Sequence, residues 1–378
     1  MTGSSPATQQ SYERLLAVEP VLSRIAPLRD LVSDLPPKTL FHAGPPFASG
    51  KALPAPVLNS VLAAIRHEGW AESVAGAKAA LEQGQVALAP AQDIGLVTPL
   101  AFVVGPSMYC LAVSDAKNPR ALRLSPLNDG PLPDCLRFGT GREGGLALLR
   151  GLTGGIGADL AANLKPAPLL PVLAAGLSGG DDLHGRVSAA QAAVRGFFGA
   201  HLAPESEQYL TQANQFVLNV IMAAAALMIG AGAGVSGSTM VVASGGNGID
   251  HGYKLAAEPE RWIVRPARRP IGPKMQDKAA ALPAIGDSAV IDAAGFGAAC
   301  LRFAPDLAGL KVHVDDAYFT EAAHDAFIGP HPALKFPGLR VGLDLARPRA
   351  CLGVMLGMVG AGGTEGLVGR GVAPWPEG

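Results

Sequence analysis

From Phe216 to Gly234 the chain reads FVLNVIMAAAALMIGAGAG, at the centre of 42 consecutive residues, Gln208 to Ile249, without a charged side chain. A stretch this apolar is either a membrane span or a helix buried in a globular core. No Lys or Arg closely flanks either end, as the positive-inside rule asks of a span, and Gly230 to Gly237 breaks the helix into a Gly/Ser loop. The pattern predicts a buried core helix feeding a glycine turn, and no membrane.

Upstream, Leu146 to Ile229 is rich in Ala and Leu with few β-branched clusters, which predicts a helical domain over 146–230. Residues 1–145 alternate strand and helix signals. Strands are predicted at Thr39–Phe41, Val86–Leu88, Met108–Val113, Leu122–Leu124 and Leu136–Phe138, and helices at Pro56–Glu68 and Ser73–Gln83. Leu15 to Leu35 repeats apolar residues at helical steps, broken by Pro20 and Pro27, after a polar tail from Met1 to Gln10. Residues 231–378 form a glycine-rich α/β domain, with strand signals at Trp262–Val264, Ala289–Ile291, Lys311–Val314, Leu339–Leu345 and Cys351–Leu356. The expected fold class is therefore α+β, mixed α/β, with two α/β domains and an intervening helical domain.

A length of 378 residues agrees with two or three domains at about 150 each. Thirty basic against 31 acidic side chains leave a net charge of −1, which excludes a global field recruiting nucleic acid or an anionic membrane. Charged residues are only 16%, against about 25% in an ordinary soluble domain, so an oligomer that covers surface is expected. Cys110, Cys135, Cys300 and Cys351 contain no CxxC pair, fitting reduced thiols in a cytoplasmic protein with no zinc site.

Seven stretches carry possible chemistry. His42-Ala43-Gly44-Pro45-Pro46 lies between a strand and a helix, so its amides can hold an anion while His42 supplies a proton; the alternative is a proline-stiffened turn. Gly139, Gly141 and Gly144 spell GxGxxG but lack the following strand and acidic residue of a dinucleotide site, so a tight turn is preferred and no cofactor is expected. Asp181, Asp182, His184 and Arg186 open a helix, where Asp181 can share a face with His184 and Asp182 can pair with Arg186, or the aspartates simply cap. Ser236, Ser238, Thr239 and Asn247 sit in apolar surroundings and need partners, internal or ligand. Glu258 to Lys278 is a proline-interrupted basic loop. Glu321 and His324, near His313, Asp315 and Asp316, have metal-ligand composition, though an amphipathic helix explains them and no metal is expected. The glycines from Gly357 to Gly371 can form anion nests or pack tightly.

Taken together, the stretches resemble the YlbE-like family, which includes the AllG subunit of oxamate carbamoyltransferase. The resemblance rests on Leu40-Phe41-His42-Ala43-Gly44-Pro45-Pro46, Glu68-Gly69-Trp70-Ala71, Leu127-Asn128-Asp129-Gly130, Leu136-Arg137-Phe138-Gly139 and Gly180-Asp181-Asp182-Leu183-His184-Gly185-Arg186. It continues in Gly237-Ser238-Thr239-Met240, Gly286-Asp287-Ser288-Ala289 and His331-Pro332-Ala333-Leu334. Asp129 and Asp182 stand where Glu is usual, and Ala91-Gln92-Asp93 replaces a histidine-containing stretch.

What the resemblance implies is phosphorolysis of oxalurate to oxamate and carbamoyl phosphate, in allantoin breakdown, by a complex with FdrA-like (AllF) and AllH-type subunits. Two other roles stay open: a non-catalytic scaffold of that complex, and a stand-alone ureido-acid hydrolase. Phosphate attack on a ureido carbonyl needs cationic or amide donors for two small anions, an electrophile at the carbonyl oxygen and an acid for the leaving nitrogen. Placed on the motif positions, that chemistry assigns the acid to His42 or His184, orientation of His184 to Asp181, and carbonyl polarisation to Asn128. Substrate contacts fall to Gly44, Arg137, Arg186, Ser238, Thr239, Asn247, Asp287 and Ser288, with the Gly237–Thr239 and Gly357–Gly363 turns cradling phosphate.

Overall fold

The structure, a computed structural model, describes residues 4–276, 279–349 and 351–376. Asp277 and Lys278 of the basic stretch lie outside the described residues, as do Met1 to Gly3.

The expected polar tail is instead ordered from Pro6. Helix α1 (Pro6–Ala17) is capped by Ser5, whose side chain accepts from the Thr8 amide, and Pro6 occupies the first turn where its missing N–H costs nothing. The expected helix over Leu15–Leu35 is also corrected. After α1 the chain runs as strand β1 (Pro20–Pro27), then a single turn α2 (Leu28–Leu31). Prolines sit at the two ends of β1, the positions a strand tolerates. The misleading helical step arises because the register slips between Leu22 and Arg24, so Leu22 and Ile25, three apart, are both buried.

Strand β2 (Thr39–His42), helices α3 (Ala55–His67) and α4 (Val74–Glu82) and strand β3 (Ala87–Pro90) follow, with β2 and β3 parallel as a helical crossover permits. Strands β4 (Tyr109–Asp115) and β5 (Asn118–Pro126) form a hairpin beside β1. Leu136–Phe138 is not a strand but a 3-10 turn closing on Gly139 (φ +59°).

The central stretch is helical: α5 (Glu143–Gly151), α6 (Gly157–Asn163), α7 (Leu170–Ser178), α8 (Ser188–Gln191), α9 (Pro204–Gln212) and α10 (Phe216–Gly230). A short strand within it, β6 (Ala167–Pro168), pairs with β1 and completes the sheet β5-β4-β1-β6. Every residue of α10 from Phe216 to Ile229 is buried. Its 15 residues span about 22 Å, short of a bilayer's roughly 30 Å. Among the described residues no single helix is long and apolar enough to cross a membrane, and α9 and α10 are bent by 74° at their junction.

Strands β7 (Val241–Asn247), β8 (Asp250–Leu255), β9 (Glu258–Pro266) and β10 (Ile285–Gly286) make a second sheet, ordered β10-β7-β8-β9. The first part of the basic stretch is therefore an edge strand. Ala289–Ile291, expected as strand, opens helix α11 (Ala289–Ala294), all of it buried. A short apolar run has no period by which a buried helix and a buried strand differ. Lys311–Val314 is likewise not a strand. The chain there is a series of 3-10 turns, Gly297–Phe303, Pro305–Val312, Asp316–Phe319 and Glu321–His324, the last two capped by the side chains of Asp315 and Thr320. Two hairpins finish the fold, β11 (Phe327–Gly329) with β12 (Val341–Leu343) and β13 (Gly353–Val359) with β14 (Leu367–Pro374). α10 packs on α11, β5, β4, β7 and β1, and one apolar core draws residues from all three stretches.

Candidate functional site

A cavity of about 560 Å³ opens where the loop after β5, the 3-10 turn at Arg137, the loop before α8, the α9–α10 junction, the start of α11 and the β13–β14 hairpin meet. Its polar side chains include Asp129, Arg137, His184, Gln215, Ser288 and Arg370, with Thr211, Gln212 and Asn214 at the α9–α10 junction, set among apolar groups such as Leu100, Phe138 and Leu218.

Arg137 is 1% exposed, a burial that a guanidinium tolerates only with partners. Its Nη2 lies 3.1 Å from Asp129 Oδ1 and donates to Asn128 Oδ1 at 3.3 Å, while Nη1 donates to Gln215 Oε1 at 2.8 Å. Asp129 is held in turn by the Gln215 amide at 2.7 Å and by the Cys135 thiol. Burial opposes the charge on Arg137, but the Asp129 carboxylate, together with Cys135 and Tyr209, offsets it and its pKa is raised. Nε has no partner among the described residues. Cys135, which lines the same wall, is pushed up to about 11 by burial and stays a thiol at neutral pH.

The second element is His184. Asp182 folds the loop around it, accepting hydrogen bonds from the amides of His184, Gly185 and Arg186. That turn holds Leu183 at φ +68°, a left-handed conformation seldom taken by a branched side chain. Burial raises the Asp182 pKa against those three amides. His184 Nδ1 is 2.7 Å from Asp292 Oδ2, and Asp292 Oδ1 accepts from the amides of Ala298 and Met355 at 2.8 and 3.0 Å. A carboxylate fixed by two amides fixes the ring, sets the proton on Nδ1 and leaves Nε2 for the cavity. Ser288, also buried, has no partner for its hydroxyl among the described residues, and Arg370 stands exposed on β14 at the mouth.

A profile for "AllG: Oxamate carbamoyltransferase subunit AllG" matches residues 86–288, more than half of the chain. The chain belongs to the AllG family. Two Escherichia coli (strain K12) proteins are similar to it. Oxamate carbamoyltransferase subunit AllG is 29% identical over 320 residues, 80% of this chain and 76% of that one. Uncharacterized protein YahG is 26% identical over 366 residues, 90% of this chain and 76% of that one. A crystal structure of a conserved protein of unknown function from Enterococcus faecalis V583 superposes with a TM-score of 0.90 at 22% identity, over 98% of this chain and 94% of that one. At that identity the likeness carries the fold alone.

The matched region of this AllG-family chain contains Asp129, Arg137, His184, Gln215 and Ser288, but not every residue expected at the site is there. His42 is outside the cavity. Its Nδ1 is 2.8 Å from the Ala43 carbonyl, its ring lies on Phe47, and burial pushes it down to about 4, so it is uncharged at neutral pH and is not placed as an acid for this cavity. The Gly44 amide donates to Asp287 Oδ1 at 2.9 Å, and at φ +75° a Cβ on Gly44 would strike the Gly246 backbone. Asp287 also accepts from the Thr98 amide and Gln92 Nε2, and burial pushes it up to about 7. Gly44 and Asp287 thus form a strut behind Ser288 rather than substrate contacts. Asn247 is spent on Pro45 O and the amides of Ile249 and Asp250.

Other corrections follow from the same accounting. Asp181 caps α8 through the amides of Ala189 and Ala190 and pairs with Arg186, so Asp292, not Asp181, orients His184. Arg186 also pairs with Asp306 at 2.7 Å and lies outside the cavity. Asn128 sits beneath Arg137, its Oδ1 shared with Asn219 Nδ2, and holds the guanidinium instead of facing substrate. Ser238 accepts from Ser11 Oγ and Thr239 bonds Asp344 and Thr8, so the Gly237–Thr239 turn anchors α1. Gly357 lines the cavity, but the turn beyond it already holds an anion, the Glu365 carboxylate, on the amides of Gly362 and Thr364. Gly139 of the GxGxxG packs against the Pro56 carbonyl of α3. Glu321 pairs with Arg302, and His324 turns inward to the Gly295 carbonyl.

Asp292, Gln215 and Arg370 were not singled out from the sequence. Asp292 had a signal: an acidic residue inside the apolar run Ala289–Ala294 must be partnered if the run is buried. Gln215 and Arg370 had none.

Proposed function

We propose that the cavity is the substrate site for carbamoyl transfer, with oxalurate and phosphate giving oxamate and carbamoyl phosphate, in a complex with FdrA-like (AllF) and AllH-type subunits. The observation that carries this reading is the meeting, in one cavity, of the His184–Asp292 and Arg137–Asp129 pairs. Arg137 supplies a permanent positive charge in a water-poor wall, and Arg370 adds a second at the mouth, which suits two small anions. Ser288 Oγ offers a donor for the carbonyl oxygen as it gains charge.

In the step, a phosphate oxygen forms the new bond to the carbamoyl carbon and the bond from that carbon to the oxamate nitrogen breaks. His184 Nε2 takes the proton from hydrogen phosphate and returns it to the departing nitrogen, leaving the histidine unchanged. Asp292 stabilises the imidazolium between the two transfers. All four cysteines are free and buried, which suits a reducing cytoplasm. In the assembled complex His184→Gln lowers the turnover of phosphate-dependent oxalurate cleavage by about 10²–10⁴-fold. Undiminished turnover in a folded, assembled variant removes the acid–base role and with it this reading of the cavity.

A further inference from the structure

Among the described residues six large apolar side chains are exposed, and half of them gather at the mouth of the His184 cavity. Val74, Val264 and Val312 are spread over α4, β9 and a 3-10 turn. The other three are Leu132, Ile271 and Met275, which are 63%, 47% and 71% exposed. Leu132 lines the cavity itself. Residues 271–275 run antiparallel along the edge of β14 away from β13. Ile271 exchanges two backbone bonds with Val372, the Arg370 amide donates to the Pro273 carbonyl, and the Met275 amide donates to the Val368 carbonyl. Pro273 thus stands opposite Arg370, which lines the mouth, and strand alternation puts Ile271 and Met275 on the same face, to either side of it. Apolar side chains scattered singly over a surface need no explanation, but a group around one mouth marks a contact.

The charge beside this patch has one sign. From Ala267 to Gln276 the chain holds Arg268, Arg269 and Lys274 and no acidic residue. Arg269 Nη1 donates to the Ala281 carbonyl and Lys274 Nζ to the Ala279 carbonyl, bonds that leave both charges standing, and neither cation pairs with a carboxylate among the described residues. Glu365, the one acidic residue from Gly353 to Pro374, is held by amides of its own turn. A second copy docking by this same face would set like charges against one another. A different chain that carries carboxylates around an apolar patch matches both features.

We propose that the rim formed by Leu132, Ile271 and Met275, with Arg269 and Lys274 beside it, docks a partner subunit whose contact face is apolar and ringed by carboxylates, and that this subunit closes the mouth of the His184 cavity. The inference rests on the reading of that cavity as part of a complex. A subunit seated there also keeps bulk water from the carbamoyl group as it transfers.

Hydrogen exchange, read peptide by peptide, compares the chain alone with the complex co-expressed with FdrA-like (AllF) and AllH-type subunits. The amides of Gly272 and Lys274 carry no hydrogen bond among the described residues, so they exchange fast in the chain alone. In the complex they slow down, together with the peptide that holds Leu132. Lys274→Glu combined with Met275→Glu raises the dissociation constant of the complex about 10-fold or more, whereas Val312→Glu, exposed on another element, leaves it unchanged. Both substituted side chains are exposed, and circular dichroism confirms that the variants are folded. Unchanged assembly of the double variant, protection confined to other peptides, or failure of any complex to form overturns the proposal. So does protection of this rim in the chain alone that rises with its concentration, which gives the face to a second copy. An active complex whose rim exchanges freely removes this inference and leaves the transfer reading; undiminished turnover of His184→Gln in a complex whose rim is protected does the reverse.

Discussion

His42 and His184 occupy loops that look alike in sequence, each with glycine beside the histidine, each lying ahead of a helix, each with a histidine that the structure buries, at 2% and 4% exposure. Burial therefore does not separate them. What separates them is the partner that the fold delivers. Among the described residues the His42 ring hydrogen-bonds the carbonyl of the next residue and packs on Phe47, and the carboxylate bonded to its loop, Asp287, is taken by three donors. His184 meets Asp292, 108 residues further on, and keeps one nitrogen for the cavity. A histidine becomes chemically useful here through a contact that its own motif does not contain.

The largest effect expected within the His184 loop is structural. Asp181 is buried and carries Arg186 and two amides of α8, so Asp181→Ala leaves those donors unsatisfied and costs about 3–5 kcal/mol. Urea unfolding measures it, and a loss below about 1 kcal/mol shows that Arg186 finds another partner. Asp292→Asn is the smaller and more specific change. The amide oxygen still accepts from Ala298 and Met355, but the negative charge behind His184 is gone, and turnover falls about 10–100-fold. A shift of the pH–turnover profile, with substrate affinity little altered, distinguishes positioning of His184 from a general loss of structure. If Asp181→Ala shifts that profile and Asp292→Asn does not, the comparison drawn above is reversed.

Elements with a full local signature were legible: β2, α3 and α4 from their residue pattern, α10 from its unbroken apolar run. The errors fall where a long-range contact overrides local pattern. The slip at Leu22–Arg24 gave β1 a helical step, and the partner strand β4 decides otherwise. α11 has β-branched residues in a short run, and surrounding elements choose helix. The site divides the same way. Arg137, His184 and Ser288 were on motifs and reach the cavity, whereas Ser238, Thr239 and Asn247 were on motifs of equal appearance that serve the packing of α1 and the β7–β8 turn. A polar residue in a glycine-rich loop announces a need for hydrogen bonds and leaves the partner unnamed.

The smallest effect on turnover belongs to the other histidine. His42→Asn keeps a donor near the Ala43 carbonyl and leaves the rate of oxalurate cleavage unchanged, because the ring touches no part of the cavity. Its signature is in stability against pH. The unfolded ring takes a proton as pH falls through 6.5, the folded one only near 4, so in that window the unfolded state binds more protons and acidification removes about 3 kcal/mol of stability. Asp287 works in the opposite direction: its folded value near 7 lies above its ordinary 3.8, so the stability it contributes is present at low pH and lost as pH rises through 7. In the wild type the two oppose each other across one loop. His42→Asn leaves Asp287 unopposed there, and the variant loses less stability than the wild type between pH 6.5 and 4. Unfolding midpoints in urea over that range test it, and parallel curves for the two proteins mean that the His42 ring is not the buried, uncharged group on which the contrast between the two loops rests.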